Sequence, residues 1–205
     1  GDDDRYFPQA LHQGMPAVSY AALFERMLDH DLISVFLGVD ARDVMHVTDT
    51  TVEVCGRSYG GEVVYTGALD ELFGMDLGAL PYRTVDMVFE TLEKERFQPV
   101  GTVNYTVSEN FTRITEFKNM TGQVAPGRTT ILREYSRSYL PGVGETPYYV
   151  VNDPENLELY GKYRARVEGI LNFHAVGRLA EYRYYDMDGV TASALELSDE
   201  IINNH

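Results

Sequence analysis

The sequence predicts an α+β fold, an α/β layer interrupted by an inserted antiparallel β-sheet, on three patterns. Short apolar runs stopped by glycine stand at 63–67 and 173–177, and each reads as a buried strand leading into a turn. Between them, runs rich in Val, Thr, Tyr and Phe recur at 83–89, 98–106, 112–117 and 129–135, separated by polar or glycine-bearing turns. That is the composition of an antiparallel sheet that can bury one face and offer the other to a ligand. Helical spacing with capping residues appears at 20–29, at 154–167 and after Asp186.

Residues 2–16 are polar and turn-rich and read as a loop. Ser19 is the N-cap candidate for a helix over about 20–29, with Leu23, Phe24, Met27 and Leu28 at helical spacing. Ile33, Val35 and Leu37 alternate into Gly38, which predicts a strand. Asp40 to Thr50 begins a connection that continues into a hairpin strand over 51–55, and a short helical turn follows at 70–73. Asp153 is suited to cap a helix whose first position is Pro154 and which runs to about Val167. On that helix Lys162, Arg164 and Arg166 read as a solvated face. After Asp186, Val190, Ala194, Leu195, Leu197 and Ile201 recur at roughly helical spacing. The first and last thirds are expected to share one layered sheet, with the antiparallel sheet inserted between them.

The chain of 205 residues is 44% hydrophobic and 24% charged, as expected of an ordinary folded protein. It has no apolar run of transmembrane length and opens on no signal peptide, so a cytoplasmic protein is expected, with no membrane partner. A net charge of -15 and a pI near 4.6 argue against nucleic-acid binding, which needs a basic face. A diphosphate needs only a few well-placed arginines, so acidity does not exclude it. The single cysteine, Cys55, rules out an internal disulfide and a cysteine-based zinc site. The five histidines have no ligand spacing, and no metal is expected. Serine-hydrolase, Cys-His and P-loop signatures are absent.

Chemistry concentrates in 177–188, GRLAEYRYYDMD. A strand delivers a turn and a helix N-terminus to one place, where unsatisfied N–H groups and the positive dipole end favour an anion. Arg178 stands at the strand exit, and Tyr182, Tyr184 and Tyr185 supply flat faces with hydroxyl tips. Asp186 and Asp188 read as N-caps rather than an acid–base pair. Arg83, Arg113 and Arg178 lie at the ends of predicted strands, where a guanidinium fork suits a phosphate. On residues alone, the ordinary reading of such arginines is salt bridging with the abundant acids.

These residues, together with VVYTGALDELF at 63–73, GALPYRT at 78–84, VNYT and FTRITEFK within 103–118, and EYSRSY and PYYVVND within 134–153, resemble UDP-galactopyranose mutases. The family interconverts the pyranose and furanose forms of UDP-galactose. The resemblance implies FAD, active in its reduced form through nucleophilic N5 chemistry with no net redox change, and UDP-galactose as substrate. It assigns the diphosphate to Arg113, Tyr149, Tyr184 and Tyr6, and places Arg178 between flavin and substrate, Arg83 in the active site and Asn104 near galactose and flavin. On residues alone, Tyr149 and Tyr184 read equally as core aromatics, and Tyr6 as a surface residue of a frayed terminus. Glu134 reads better as a surface strand acid than as a group orienting the arginine.

On the cofactor side the resemblance implies Val39 facing the adenine, and Arg178, Tyr185, Asp186, Met187, Asp188, Gly189 and Val190 beside the flavin. On residues alone Val39 reads as the end of a core strand. The implied organisation is a loop flanking the substrate site at 1–18, a remnant of an FAD-binding domain at 19–70, an antiparallel substrate domain at 71–152 and a return to the FAD-binding layer at 153–205. The glycine-rich GxGxxG turn of the family's opening is not in this sequence. The chain therefore reads as an expressed fragment beginning midway along the family's length, expected to lack bound FAD and to be inactive alone. Galactofuranose biosynthesis for the cell wall is the implied setting, and a homo-oligomer of the full-length protein stays open. Two other readings stay open: another flavoenzyme of the amine-oxidase type, and a sugar-nucleotide binding module without catalysis.

Overall fold

The computed structural model describes residues 11–204. The chain divides into two compact units, one comprising Gly1–Leu37 and Val85–Ser136, the other Gly38–Thr84 and Arg137–His205. In chain order the elements are α1 (Tyr20–Leu28), α2 (Ala41–Val44), β1 (Met45–Val47), β2 (Val52–Val54), β3 (Arg57–Ser58), β4 (Val63–Tyr65), α3 (Leu69–Leu72), β5 (Tyr82–Leu92), β6 (Thr102–Asn104), β7 (Arg113–Glu116), α4 (Phe117–Thr121), β8 (Thr129–Ser138), β9 (Tyr149–Val150), α5 (Pro154–Val167), β10 (Phe173–Ala175) and α6 (Met187–Asn203). This is a mixed α/β architecture with antiparallel sheets, as the sequence predicts.

In the first unit, Ser19 caps α1 by accepting the Ala22 N–H at 3.0 Å, the bond its side chain suits. The strand expected over 33–37 does not form. That segment is turn and irregular chain, held by Ile33 N–H to His30 C=O at 2.9 Å, and Leu37 is 89% exposed. Alternation alone does not make a strand without a neighbouring ladder, and among the described residues none pairs with it. The run at 98–106 yields only the three residues of β6, because the chain just before it folds around one carboxylate. Glu116 is fully buried and accepts from Phe97 N–H (3.0 Å), Gln98 N–H (2.8 Å), Thr129 Oγ1 (2.6 Å) and Asn119 Nδ2 (3.0 Å). β6, β7 and β8 pair antiparallel, with Asn104 opposite Arg113 and Arg113 opposite Glu134. Phe117, expected to end a strand, opens the short α4 instead, which Gly122 stops at φ 70.

In the second unit β4 and β10 pair in parallel, Phe173 opposite Val63 and Ala175 opposite Tyr65. Segments more than a hundred residues apart in sequence thus meet as expected, in two strands rather than one broad layer. β1, β2 and β3 form an antiparallel meander. Residues at the start of β5 pair with β9, Tyr82 opposite Val150 and Arg83 opposite Tyr149. Asp153 caps α5 by accepting the Asn156 N–H at 3.0 Å, with Pro154 in the first turn. The core gathers Val52, Leu69, Tyr82, Tyr163, Phe173 and Tyr182. Tyr163 is held there by its hydroxyl, which donates to Gly78 C=O at 2.8 Å and accepts from Leu77 N–H at 3.0 Å.

Candidate functional site

β10 ends against the neighbouring strand, Val176 N–H donating to Tyr65 C=O at 3.1 Å. The next residue must turn sharply. Gly177 does so at φ 105, a region where an L side chain is strained. The turn closes on itself: Glu181 N–H donates to Gly177 C=O at 2.9 Å and Arg183 N–H to Arg178 C=O at 3.2 Å. Arg178 is carried on this turn. Its Nη2 donates to Tyr148 C=O at 2.8 Å. Its guanidinium carbon lies 4.4 Å from the ring centre of Tyr184 and 5.4 Å from that of Tyr149, and the two rings are 5.8 Å apart. Two cation–π contacts of about 0.5–2 kcal/mol each hold the cation in one place.

In a chain of net charge -15, no carboxylate among the described residues pairs with Arg178. Arg113, Arg133 and Arg183 each reach a glutamate. A half-buried guanidinium that stacks on phenols and leaves its fork without an acid is set to bind an anion. Tyr184 is 53% exposed and donates its hydroxyl to Asp186 Oδ1 at 2.9 Å. Burial, and then that bond to Asp186, pushes its phenol above the ordinary value, so it is a neutral donor at physiological pH. Arg83, opposite Tyr149 in the ladder, shares its sheet face.

The start of α6 departs from the simple expectation. Asp186 stands at the N-cap, but its side chain makes no bond to the helix and instead takes the Tyr184 hydroxyl. Asp188 accepts the Gly189 N–H at 2.9 Å. Two carboxylates at this end offset part of the helix dipole, so Arg178 rather than the helix supplies the positive charge. Val190 N–H is already bonded to Asp186 C=O at 3.0 Å, and Met187 is 60% exposed. Tyr182, expected to offer a face to a ligand, is 1% exposed. Its hydroxyl donates to Pro81 C=O (2.7 Å) and Val151 C=O (3.0 Å), and its ring packs on Tyr82 and Tyr160. It is a core residue.

In the other unit Arg113, Asn104 and Glu134 come together across three strands. Arg113 Nε donates to Asn104 Oδ1 at 3.0 Å, and its Nη1 lies 3.7 Å from Glu134. The Glu134 side chain is only 13% exposed, so it orients Arg113 and is not the solvated strand acid that the sequence favours. Val39, half-exposed, precedes the N-cap Asp40 of α2 and ends no strand. Tyr6 lies outside the described residues.

A family model described as GLF, UDP-galactopyranose mutase, matches residues 1–184. The chain belongs to the UDP-galactopyranose mutase family. It is 30% identical over 98% of its length to a UDP-galactopyranose mutase of Mycoplasma pneumoniae (strain ATCC 29342 / M129 / Subtype 1), covering 51% of that protein. It is 32% identical to a probable UDP-galactopyranose mutase of Klebsiella pneumoniae, over 98% of this chain and 49% of the relative. It is also 32% identical to a dTDP-fucopyranose mutase of Escherichia coli, over 99% and 52%. The chain spans about half the length of these relatives. A crystal structure of reduced UDP-galactopyranose mutase shares the fold at a TM-score of 0.59 and 15% identity, over 79% of this chain and 46% of that one.

Mutases of this family imply a flavin, and the donor set of the second unit fits one. A cation over two phenol rings complements a flat ring that carries negative charge when reduced. Glu181 is the residue that the sequence reading missed. Its signal was its spacing, four residues after the glycine whose N–H it binds at 2.9 Å and four before the tyrosine whose hydroxyl it accepts.

Proposed function

We propose that this chain carries substrate-side and flavin-side residues of a flavin-dependent isomerase that interconverts UDP-galactopyranose and UDP-galactofuranose. The observation that carries the reading is Arg178, the half-buried guanidinium stacked on Tyr149 and Tyr184 with no acid partner among the described residues. Its role is to bind diphosphate charge that grows when the bond from the anomeric carbon to UDP breaks. Tyr149 and Tyr184 donate neutral hydrogen bonds to the same group, Tyr184 by releasing Asp186. Holding UDP close while the sugar changes ring size makes recombination faster than escape. FAD, bound and reduced, would supply the nucleophile for the anomeric carbon. Arg178, Tyr185 and the first turn of α6, from Asp186 through Met187, Asp188 and Gly189 to Val190, would flank its ring, and Val39 its adenine. From the family resemblance, Arg113, oriented within its own unit by Asn104 and Glu134, is proposed as a diphosphate ligand, and Arg83 and Tyr6 as substrate contacts. No described helix is long and apolar enough to cross a membrane, and a cytoplasmic setting is proposed.

The test is calorimetric titration of the 205-residue chain with UDP. Wild type is expected to bind, and Arg178→Ala to weaken binding roughly 10- to 100-fold, the effect of losing a charged hydrogen-bonding partner. Absence of binding by wild type, or equal affinity in the variant, overturns the assignment. The 32% identity to a dTDP-fucopyranose mutase favours a second reading of the substrate, a dTDP-sugar, and a parallel titration with dTDP ranks the two. In a longer polypeptide that contains this chain and FAD, Arg113→Ala should abolish turnover and leave the flavin absorbance in place. Loss of flavin as well would move Arg113 to the cofactor side.

A further inference from the structure

Three features around Gly177 bear on how the turn that carries Arg178 is held. Its N–H donates to both Glu181 Oε2 at 2.9 Å and the Tyr185 hydroxyl at 3.1 Å, while that hydroxyl donates to the Glu181 carboxylate. Arg183 lies 3.3 Å from Glu181 and over the Tyr185 ring at 4.4 Å. A Cβ added at Gly189, in the first turn of α6, would meet the Tyr185 ring at 3.2 Å. Tyr185 thus reaches from the helix start back to the glycine turn. Tyr184 makes a second link between the same parts, stacked on Arg178 and bonded to the N-cap Asp186. Consecutive tyrosines tie the turn that carries Arg178 to the helix that follows it.

We propose that Glu181 and Tyr185 are positioning residues for Arg178, a brace that fixes the Gly177 turn so that the guanidinium stays over Tyr149 and Tyr184 and faces a diphosphate. The physical reason is conformational. Gly177 at φ 105 is the residue type with most freedom to leave that geometry. Its N–H sits at the end of a strand, beyond the ladder, where only side chains can satisfy it. A carboxylate is the stronger acceptor for it, and the phenol keeps the carboxylate from swinging to solvent. The brace rests on the reading of Arg178 as an anion ligand, and the two are separable by experiment.

The experiment uses the whole 205-residue chain with Glu181→Gln and Tyr185→Phe, both near-isosteric. The first readout needs no ligand. The Arg178 Nε–H resonance, identified by its loss in Arg178→Lys, should lie upfield of its position in the unfolded chain because of the two rings beneath it. It should move back toward that position in both variants. The second readout is UDP affinity, expected to fall about tenfold in each variant, and not to fall further when either substitution is added to Arg178→Ala. That non-additivity marks action through Arg178. An unmoved resonance overturns the brace even if UDP binding weakens. Additive losses overturn it too, as does failure of both variants to fold, since the pair would then support the whole unit. A resonance that responds in a chain that wild type shows not to bind UDP keeps the brace and removes the anion reading.

Discussion

Glu116→Leu is expected to lower the stability of the first unit by about 3–5 kcal/mol, the range for removing one partner from a buried charged network. Four donors converge on this carboxylate, two backbone N–H groups, a hydroxyl and an amide. Leucine fills a similar volume but leaves the buried Gln98 N–H and Thr129 hydroxyl and the part-buried Phe97 N–H without that acceptor, while Asn119 keeps the Gln98 and Val100 carbonyls. Burial raises the Glu116 pKa, and the bonds from Thr129, Gln98 and Phe97 outweigh it, so the net direction is downward. The sign for stability follows. With the folded pKa below the unfolded value of about 4.3, the contribution is fully present above that pH and is lost as pH falls through the folded pKa. Urea midpoints measured from neutral to acidic pH should fall for wild type, and Glu116→Gln should flatten that part of the decline. An unchanged midpoint in Glu116→Leu would mean that the loop at 97–101 holds without this anchor.

Tyr182→Gly carries the second large effect, and two terms oppose each other in it. Tyr182 has φ 46, and relieving a left-handed tyrosine with glycine is worth about 1–2 kcal/mol. Against that stands removal of a ring that is 1% exposed, which costs about 3–5 kcal/mol for large aromatic truncations. The part-buried carbonyls of Pro81 and Val151 also lose their donor. The loss should win, leaving the second unit less stable by several kcal/mol, read as a fall in the thermal or urea midpoint. Tyr182→Phe separates the parts by keeping the ring and removing only the hydroxyl. A glycine variant as stable as wild type would show that backbone strain outweighs packing at this position.

Both residues show where the sequence stops speaking. Tyr182, Tyr184 and Tyr185 sit within four positions of one another, and nothing local separates them. One enters the core, one covers an arginine and one braces a turn, because Pro81, Tyr148 and Gly177 wait at different places around the segment. Glu116 reads as the end of a strand, and its function as an anchor depends on the loop that begins about twenty residues earlier.

The sequence by itself determined the short-range features: the Ser19 and Asp153 caps, the strand stops at Gly67 and Gly177, the antiparallel runs between 82 and 138, and membership of the mutase family. Each is settled within a few residues or by several separate blocks of sequence, so chain order is enough. Only the tertiary structure decided that 33–37 is no strand, that Asp186 serves Tyr184 rather than its helix, that Glu134 orients Arg113, and that Arg178 has phenols instead of acids around it. Those outcomes depend on partners far away in the chain, such as the Tyr148 carbonyl thirty residues before Arg178. Burial and pairing of a polar group are set by whichever distant segment arrives beside it, and no local pattern encodes that arrival.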